Sequence, residues 1–233
     1  MISIVTVCYN AAEDLKLTLA SLKYNLEIEY ELIVIDGNSM DNTRSIINQF
    51  DNVSIFISEE DDGIYDAMTK GVELASYDWV FFLNAGDVIF SDFFFNNFVL
   101  KCNKNIDAYY GDVAYTDGHI VHSMYNLKIL LHNTIHHQSI IYNRQLLLDY
   151  PYDRSYKRFS DYHLNLRSFL SKRKFLKISG IAAICDPNGI SRDSNSLLSI
   201  RYETNAVRSS LLPSKYAFIL KLIYRVKFWL KNV

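Results

Sequence analysis

Four short apolar runs, each ending at a polar loop, alternate with helix-like segments over the first 83 residues of the chain. The runs cover residues 2–8, 31–35, 53–57 and 79–83. Between them, Leu15, Leu19 and Leu22 have helical spacing. The apolar residues within 46–50 and 65–75 also have helical spacing. Strands that alternate with helices form parallel sheets covered on both faces. The sequence therefore predicts an α/β fold with a mostly parallel central sheet flanked by helices.

The alternation weakens after residue 87, which predicts a second half of mixed structure. Helices are expected at 93–100 and 161–170, and strands at 108–115, 120–125, 139–142 and 175–184. Asp117-Gly118 between two of these strands is a strong hairpin signal. No internal repeat or low-complexity linker separates the halves. We therefore expect one domain over 1–212, with halves 1–104 and 105–212.

Composition excludes several classes of protein. Of 233 residues 49% are hydrophobic, and the formal net charge is −2, which argues for a folded globular chain and against general nucleic-acid binding. Cys8, Cys102 and Cys185 have no metal-binding or redox spacing, which is typical of buried thiols in a reducing compartment. The chain opens on a strand-like run without a signal peptide, and polar residues interrupt its longest apolar stretch, 79–100. These features predict a cytoplasmic protein without a membrane span.

The last 21 residues differ in charge from the rest. Residues 213–233 contain five basic residues and no acidic ones. On a helix, one apolar face would carry Ile219, Leu222, Ile223, Val226, Trp229 and Leu230. This pattern fits a basic amphipathic helix lying in a membrane interface, and it also fits a terminal helix docked on the protein. The absence of acidic residues favours the membrane interface.

A lone carboxylate follows the fourth apolar run in the segment Asn84-Ala85-Gly86-Asp87. Ligands of open α/β sheets bind beyond the carboxyl ends of the strands, which is where Asp87 is expected. A carboxylate is a hard oxygen ligand that suits Mg2+ or Mn2+. The same four residues also have good turn chemistry, so a simple turn is the alternative.

Four segments taken in order resemble the family 2 glycosyltransferases of the GT-A fold. They are Tyr9-Asn10, Asp36-Gly37-Asn38-Ser39, residues 62–71 and Asn84-Ala85-Gly86-Asp87. The resemblance covers most of residues 1–190 and is strongest to small bacterial enzymes that build O-antigen, capsule and exopolysaccharide. It implies a Rossmann-like sheet, a nucleotide-sugar-binding half over 1–104 and an acceptor-side half over 105–212.

The resemblance also implies roles for residues at the first two strand ends. Thr6, Tyr9 and Asn10 match positions that contact the nucleotide, with the tyrosine ring stacking near uracil. Asp36 matches the carboxylate that holds the base and ribose, which suits an anionic acceptor. Gly37 departs from the pattern of two successive acidic residues in the family, and this weakens the expected base contact.

The segment 62–71 resembles the loop and helix that lie beneath the sugar diphosphate. Gly63 would allow close approach of the backbone, and many relatives have an arginine where this chain has Met68. The resemblance implies nucleotide contacts for Asp62 and Gly63, and donor or acceptor contacts for Tyr65, Asp66 and Lys70. The alternative for several of these residues is an ordinary inward helix face.

Asn84, Ala85, Gly86 and Asp87 fall where the family places its Asp-x-Asp motif. The first three would adjoin the nucleotide, and Asp87 matches the aspartate that binds the metal. Ala85 replaces the first aspartate, so a Mn2+ or Mg2+ ion would depend on diphosphate oxygens and water to complete its shell. Metal affinity without nucleotide is therefore expected to be weak.

Asp161, beside Ser160, matches the carboxylate that accepts the proton of the acceptor hydroxyl. Helix capping is its structural alternative, and Asp153 and Asp186 are competing candidates for the base. The resemblance further suggests donor or acceptor contacts for Asp112, His137, Gln138 and Arg192. A structural loop is the alternative for the two histidines at 136 and 137.

The resemblance implies an inverting transfer of a hexose from a UDP-sugar to a lipid-linked saccharide at the inner face of the plasma membrane. The donated sugar, the receiving hydroxyl and the oligomeric state are left open. Two other functions are also left open: a noncatalytic UDP-sugar-binding partner, suggested by Gly37 and Ala85, and a sugar nucleotidyltransferase. The lack of an early glycine-rich phosphate loop argues against the nucleotidyltransferase.

Overall fold

The structure is a computed structural model that describes residues 1–186 and 197–220. Its strands are β1 (Ile2–Cys8), β2 (Tyr30–Asp36), β3 (Ile55–Ser58), β4 (Trp79–Phe82), β5 (Val88–Ile89), β6 (Ala108–Tyr115), β7 (Ile120–Val121), β8 (Ile140–Asn143) and β9 (Phe175–Cys185). Its helices are α1 (Ala12–Asn25), α2 (Thr43–Ile47), α3 (Ile64–Leu74), α4 (Phe93–Lys101), α5 (Arg144–Asp149), α6 (Ser160–Leu170) and α7 (Leu197–Leu211). Short 3-10 helices lie at Leu127–Leu130 and His137–Ser139.

The strands of the described residues form one sheet in the order β3-β2-β1-β4-β8-β6-β9-β5, with β7 paired to β6. The first four strands run parallel to one another. β8 is antiparallel to both β4 and β6, and β9 is parallel to β6. The predicted α/β architecture is therefore confirmed, with a parallel first half and a mixed second half. The sheet continues from one half of the chain into the other.

Helices cover both faces of the sheet because successive residues of a strand point to opposite sides. Ile2 and Ile4 of β1 pack in one buried cluster with Leu15 and Leu19 of α1. Val5 and Val7 pack in a second cluster, which contains these residues of α3: Tyr65, Ala67, Met68 and Val72. A smaller cluster joins α6 to α7 through Tyr162, Leu166 and Val207. Burial on both faces explains why the first strands read as nearly continuous apolar runs.

Several boundaries differ from the sequence-based expectation. β7 ends at Val121 instead of residue 125, because the next amides are engaged elsewhere: Ser123 N donates to Asp112 Oδ1 and Tyr125 N donates to Tyr110 Oη. β5, α5 and α7 were not expected. β5 and α5 are too short to show periodicity, and β5 is defined by its antiparallel pairing with distant β9.

Three other expectations meet the structure in different ways. Cys8 and Cys185 are buried as predicted, but Cys102 is exposed at the end of α4, so the prediction for this thiol was wrong. Residues 214–220 are helical, which agrees with a helix starting near Pro213, and 221–233 lie outside the described residues. Among the helices of the described residues, none has the length and apolar character that crossing a membrane requires.

Gly71 sets how closely α3 approaches β1. A Cβ added at this position would overlap Cγ1 of Val5 and lie 3.1 Å from its Cγ2. Val5 is fully buried in the middle of β1 and its branched side chain has little freedom to move. A glycine is therefore required for this helix–sheet contact, although glycine lowers helix propensity.

We expect Gly71→Ala to destabilise the protein. Overpacking a buried contact costs roughly 1–3 kcal/mol, which outweighs the gain of about 1 kcal/mol in helix propensity. Thermal or urea unfolding of the variant measures the difference. Glu73→Ala, at an exposed position of the same helix, is the control. A Gly71→Ala variant as stable as the wild type would contradict the close packing of α3 on β1.

Candidate active site

The carboxyl ends of β1, β2 and β4 lie at one edge of the sheet because these strands are parallel neighbours. Cys8 is opposite Asp36, and Val5 is opposite Phe82. The β1–β4 ladder continues past β4, since Ala85 N donates to Val7 O at 3.2 Å. The loops after all three strands therefore meet at this edge, as the sequence predicted.

The loops after β1 and β2 are joined by their polar groups. Asn10 N donates to Ser39 Oγ at 2.7 Å, and Met40 N donates to Asn10 Oδ1 at 2.8 Å. Asn10 has φ +48°, a left-handed conformation that asparagine tolerates. The Tyr9 ring is 64% exposed beside these loops. An exposed ring at a rigid loop is available for stacking on a flat group.

Asp36 is fully buried, and its carboxylate organises the loop that follows it. Both oxygens accept from Ser39, through its amide and its hydroxyl, and Oδ2 accepts from Ser58 Oγ at 2.6 Å. The structure thus directs this carboxylate to its own loop. Thr6 is also fully buried, so the structure does not place its side chain at the surface of the edge.

Asp61 brings a carboxylate next to Gly37, the position at which the resembled family has a second acidic residue. A Cβ at Gly37 would lie 2.6 Å from Asp61 Oδ2 and 3.3 Å from the Tyr9 ring. Asp61 Oδ1 accepts from Gly63 N at 2.8 Å, which fixes the start of α3. Asp61 was not singled out from the sequence, because it lies more than twenty residues from Gly37.

The segment 62–71 is held by ion pairs. Asp66 is buried, and its Oδ1 lies 2.6 Å from Arg154 Nη1, while its Oδ2 accepts from Asp62 N at 3.1 Å. Lys70 Nζ lies 2.8 Å from Glu59 Oε1 and 3.5 Å from Asp66 Oδ2. The hydrogen bond to Glu59 raises the pKa of Lys70. The structure therefore engages Lys70 with carboxylates, and its contact with phosphate stays a prediction.

Asp87 lies at the same edge and is nearly buried. Its Oδ2 accepts from Gln138 Nε2 at 2.5 Å. Burial raises the pKa of Asp87 to about 6; hydrogen bonds from Cys185 and Gln138 oppose this shift, and the nearby carboxylates of Asp186 and Asp14 add to it. Gly86, with φ +95°, donates its amide to Thr18 Oγ1 at 3.0 Å and so ties the motif to α1.

His137 and Gln138 lie against the motif, and their contact with donor or acceptor stays a prediction. Asn84 Nδ2 is 3.1 Å from His137 Nε2, and the His137 ring contacts Phe82 edge-on. Burial and, to a smaller extent, the neighbouring His136 lower the pKa of His137 to about 3, so the imidazole is neutral at physiological pH. A neutral ring beside the motif acts as a hydrogen-bonding group and adds no positive charge.

The residues around Asp87 fit a hard divalent cation. No three His, Cys, Asp or Glu side chains of residues 1–186 and 197–220 come together as a metal-holding group. Within the same residues, Asn84 Oδ1 and Gln138 Oε1 are buried and lack a hydrogen-bond partner. Carboxylate and amide oxygens are ligands for Mg2+ and Mn2+. The donor set suits such a cation when a diphosphate and water supply the other ligands.

Asp161 occupies the first turn of α6 and is almost fully buried. Oδ1 accepts from Tyr162 N at 2.7 Å and from Tyr65 Oη at 3.2 Å, and Oδ2 accepts from Asn133 Nδ2 at 2.7 Å. Burial raises the pKa of Asp161 to about 6 against the lowering effect of these hydrogen bonds. Phe159 is the N-cap of α6 and makes no side-chain cap hydrogen bond, whereas Asp161 accepts from the first-turn amide of Tyr162, which is part of the capping role considered for it.

Ring contacts connect Asp161 to the edge that carries Asp87. Tyr65, on α3, stacks obliquely on Tyr152, whose ring also contacts Phe82 of β4. Burial and the Asp161 carboxylate keep the pKa of Tyr65 well above its usual range, so its hydroxyl remains a donor. The structure places the Tyr65 hydroxyl on Asp161, and the predicted contact of Tyr65 with donor or acceptor stays a prediction.

Helix α7 supports the segments on either side of Asp161. Glu203 accepts from the amides of Lys157 and Arg158, and Arg158 O accepts from Tyr65 Oη at 2.8 Å. Arg208 donates to Leu131 O at 3.1 Å, two residues before Asn133. Sequence reasoning missed both Asn133 and Glu203, because neither belongs to a recognisable local motif.

The other predicted site residues are placed as follows. Asp112 accepts from Lys177 Nζ at 2.7 Å and lies 2.8 Å from His122 Nδ1. Burial raises its pKa, but these contacts prevail and the pKa is lowered. Asp112 is linked through Ser123 to Ser139, next to Gln138. Asp153 bonds to Ser155, and Arg192 lies outside the described residues.

The fold is similar to those of solved glycosyltransferases. Staphylococcus aureus TarS in complex with UDP-GlcNAc superposes with a TM-score of 0.71 at 15% identity, covering 96% of this chain and 71% of that one. Glucosyl-3-phosphoglycerate synthase from Mycobacterium tuberculosis, solved with Mg2+ and UDP, has a TM-score of 0.63 at 17% identity, covering 92% and 81%. At these identities the likeness establishes the GT-A fold.

Sequence comparison establishes the family. The chain is 32% identical over 178 residues to a PGL/p-HBAD biosynthesis glycosyltransferase of Mycobacterium tuberculosis, over 72% of this chain and 70% of that relative. Residues 3–173 match the family described as glycosyl transferase family 2. That segment contains the edge loops, Asp87 and Asp161. The chain therefore belongs to glycosyl transferase family 2.

Proposed function

We propose that this family 2 enzyme is an inverting glycosyltransferase that moves a hexose from a UDP-sugar to a lipid-linked saccharide in bacterial surface polysaccharide synthesis. Glucose, galactose and their N-acetyl derivatives are the candidate hexoses, and the product is a β-glycoside. The observation that carries the proposal is the buried, triply hydrogen-bonded carboxylate of Asp161 beside an edge that also carries Asp87. Because the sheet continues through both halves, residues 1–212 act as one catalytic domain.

The UDP-sugar lies across the loops after β1, β2 and β4. The exposed Tyr9 ring stacks on the uracil, and Asp61, beside Gly37, accepts from the base or ribose. Asp36 holds the Ser39 loop in place for these contacts. The UDP-GlcNAc and UDP in the two similar structures support a uridine donor. This arrangement follows the rule that open α/β sheets bind ligands at their carboxyl edge.

Asp87 holds the divalent cation, either Mn2+ or Mg2+, with buried amide oxygens nearby. When bound, the cation neutralises the negative charge that develops on the leaving diphosphate. The Mg2+ in the similar synthase structure supports this assignment. Asp87 is ionised in most molecules at neutral pH, since its pKa of about 6 lies below 7.

Asp161 accepts the proton of the acceptor hydroxyl as the hydroxyl oxygen attacks the anomeric carbon. The new carbon–oxygen bond forms as the bond to the diphosphate oxygen breaks on the opposite side, which inverts the configuration. A base with a pKa of about 6 is mostly ionised at neutral pH and is a stronger proton acceptor than an ordinary aspartate. Tyr65 and Asn133 fix the direction of its oxygens.

The acceptor is a lipid-diphosphate-linked saccharide, and residues 213–233 hold the enzyme at the cytoplasmic face of the plasma membrane. Within the described part of this segment, Tyr216, Phe218 and Ile219 are exposed, which suits insertion among headgroups. The five basic residues of 213–233 would add attraction to anionic lipids. The related mycobacterial enzyme, named for PGL/p-HBAD biosynthesis, supports a lipid-linked product.

A screen for UDP release tests the function directly. Each UDP-hexose is incubated with the full chain, Mn2+ and a synthetic lipid-diphosphate sugar, and the product is analysed for a β-linkage. Turnover with one donor supports the transferase. A chain that binds UDP-sugars but gives no turnover with any donor and extracted lipid acceptor is instead the noncatalytic partner considered above.

Asp161→Asn is expected to abolish turnover while UDP binding is retained. The amide keeps the shape of the carboxylate but cannot accept the proton, and general bases contribute roughly 10²–10⁴-fold to rate. Steady-state UDP release gives the rate, and calorimetric titration with UDP gives the binding. Asp149→Asn, at an exposed position of α5, is the matched control. Wild-type turnover in Asp161→Asn would exclude Asp161 as the base.

The pH dependence follows from the same carboxylate. Activity is expected to fall as the pH drops through about 6, because the protonated Asp161 cannot act as a base. Asn133→Ala removes a donor that lowers this pKa. The acid limb should move up by roughly one pH unit, since a hydrogen bond to a charged group contributes about 1.5–3 kcal/mol and one unit corresponds to about 1.4 kcal/mol.

This shift is measured as kcat/KM against pH at saturating Mn2+, so that protonation of Asp87 does not obscure it. Asn96→Ala, at an exposed position of α4, is the control and should leave the acid limb in place. An unshifted limb in Asn133→Ala would mean that the group titrating near pH 6 is not Asp161.

Deletion of residues 213–233 is expected to release the protein from membranes while the nucleotide site stays folded. The deletion removes the exposed apolar residues and the five basic ones together. Cosedimentation with anionic and neutral vesicles measures the binding, and UDP titration checks the site. Equal sedimentation of the full and shortened chains would refute the membrane role of this segment.

A further inference from the structure

The family's Asp-x-Asp motif has two aspartates. This chain has Asp87 at the second of these positions and Ala85 at the first. Ala85 has no oxygen in its side chain, and its amide is used in the bond to Val7 O. Within the described residues, no three His, Cys, Asp or Glu side chains form a metal-holding group. A neutral oxygen in direct contact with Asp87 can supply a second protein ligand.

Gln138 is the side chain in direct contact with the Asp87 carboxylate. Its amide end is 2.5 Å from Asp87 Oδ2, and the residue is 94% buried, being 6% exposed. Among the described residues its Oε1 has no hydrogen-bond partner. Buried polar atoms in native proteins are almost always satisfied, so an unpaired buried oxygen beside a carboxylate indicates a missing partner.

We propose that Gln138 is a second protein ligand of the divalent cation, binding it through Oε1 after the amide turns over. The proposal rests on the metal-dependent transfer proposed above and names the residue that compensates for Ala85. When the amide turns over, Nε2 no longer contacts Asp87. Gln138 Oε1 and Asp87 Oδ2 then face the same cation. Mg2+ and Mn2+ accept such neutral oxygen ligands beside a carboxylate.

The backbone around Gln138 is fixed, which suits a ligand. Ser139 N and Oγ both donate to His136 O, and Ser139 Oγ also bonds to Ser123 Oγ. On the other side, His137 is held by Asn84 of the motif itself. The turn His137–Ser139 and the motif loop therefore form one connected unit, and turning the amide requires no movement of the chain.

The surrounding charge also favours a cation. The Asp14 carboxylate lies beside the motif loop, since a Cβ added at Gly86 would be 4.0 Å from Asp14 Oδ1. A shell with one carboxylate and neutral oxygens carries less negative charge than one with two aspartates. Binding should therefore depend on the diphosphate of the nucleotide, whose oxygens supply the missing charge.

The test is titration of the full chain with Mn2+ at saturating UDP, with free Mn2+ measured by electron paramagnetic resonance. Gln138→Met keeps the size of the side chain but offers a thioether, which is a poor ligand for a hard cation. Its Mn2+ affinity should fall by roughly 10-fold or more, in the range seen when residues of metal sites are replaced. Gln138→Glu should restore the affinity, because a carboxylate oxygen takes the same position.

Asp87→Asn serves as the positive control for loss of binding, and Gln145→Met, at an exposed position of α5, as the matched neutral control. Thermal unfolding confirms that each variant is folded. Unchanged affinity in Gln138→Met would overturn the ligand assignment. Equal loss in Gln138→Met and Gln138→Glu would also overturn it, since Gln138 would then act as a donor to Asp87.

The outcome separates this assignment from the proposed function. A chain that binds Mn2+ with UDP through Gln138 but transfers no sugar would refute the transferase and leave the ligand in place. A chain that transfers sugar, but whose Mn2+ affinity does not change in Gln138→Met, would support the transferase and refute the ligand assignment. Absence of any Mn2+ binding by the wild type in the presence of UDP would overturn the ligand assignment.

Discussion

The parallel pairing of β1 with β2 and β4 is the constraint on which the site depends. It sets Cys8 opposite Asp36 and aligns β4 so that Ala85 remains bonded to Val7. Three loops distant in sequence are thereby held at one edge of the sheet, so short loops are enough to bring their side chains together. The glycine at position 71 allows α3 to pack closely on β1, and α3 in turn carries Tyr65 to Asp161.

Support for Asp161, the proposed base, extends beyond residues 3–173, which match the family. The family match ends at residue 173, whereas α7 begins at Leu197. Yet Glu203 and Arg208 of α7 bind backbone atoms of Arg158, which precedes Asp161, and of Leu131, which lies close to Asn133 in the chain. Arg208 is almost fully buried in doing so, and burying an arginine is costly unless it is well bonded. Helix α7 thus helps to hold Asp161 in the position where it accepts a hydrogen bond from Tyr65 of the first half.

The sequence predicted what depends on local pattern. β1, the start of α4 and the extent of β6 follow from apolar periodicity, and the edge loops follow from strand ends. It did not predict contacts made across the fold. Asp61 fills space beside Gly37, Asn133 holds Asp161, and Tyr65 donates to Asp161, all through pairs distant in the chain. Likewise Asp36 and Lys70 have the residue types of ligands, but the structure pairs them with Ser39 and Glu59.

Burial raises the pKa of both key carboxylates and destabilises the folded chain at neutral pH. The pKa values of Asp87 and Asp161 are raised to about 6 from an ordinary value near 4. A carboxylate with a raised folded-state pKa favours the folded chain at low pH, and this contribution is lost as the pH rises through 6. At neutral pH, therefore, both groups are charged in surroundings that disfavour charge. A cation at Asp87 and a hydroxyl at Asp161 would each relieve that cost, so binding energy and reactivity arise from the same burial.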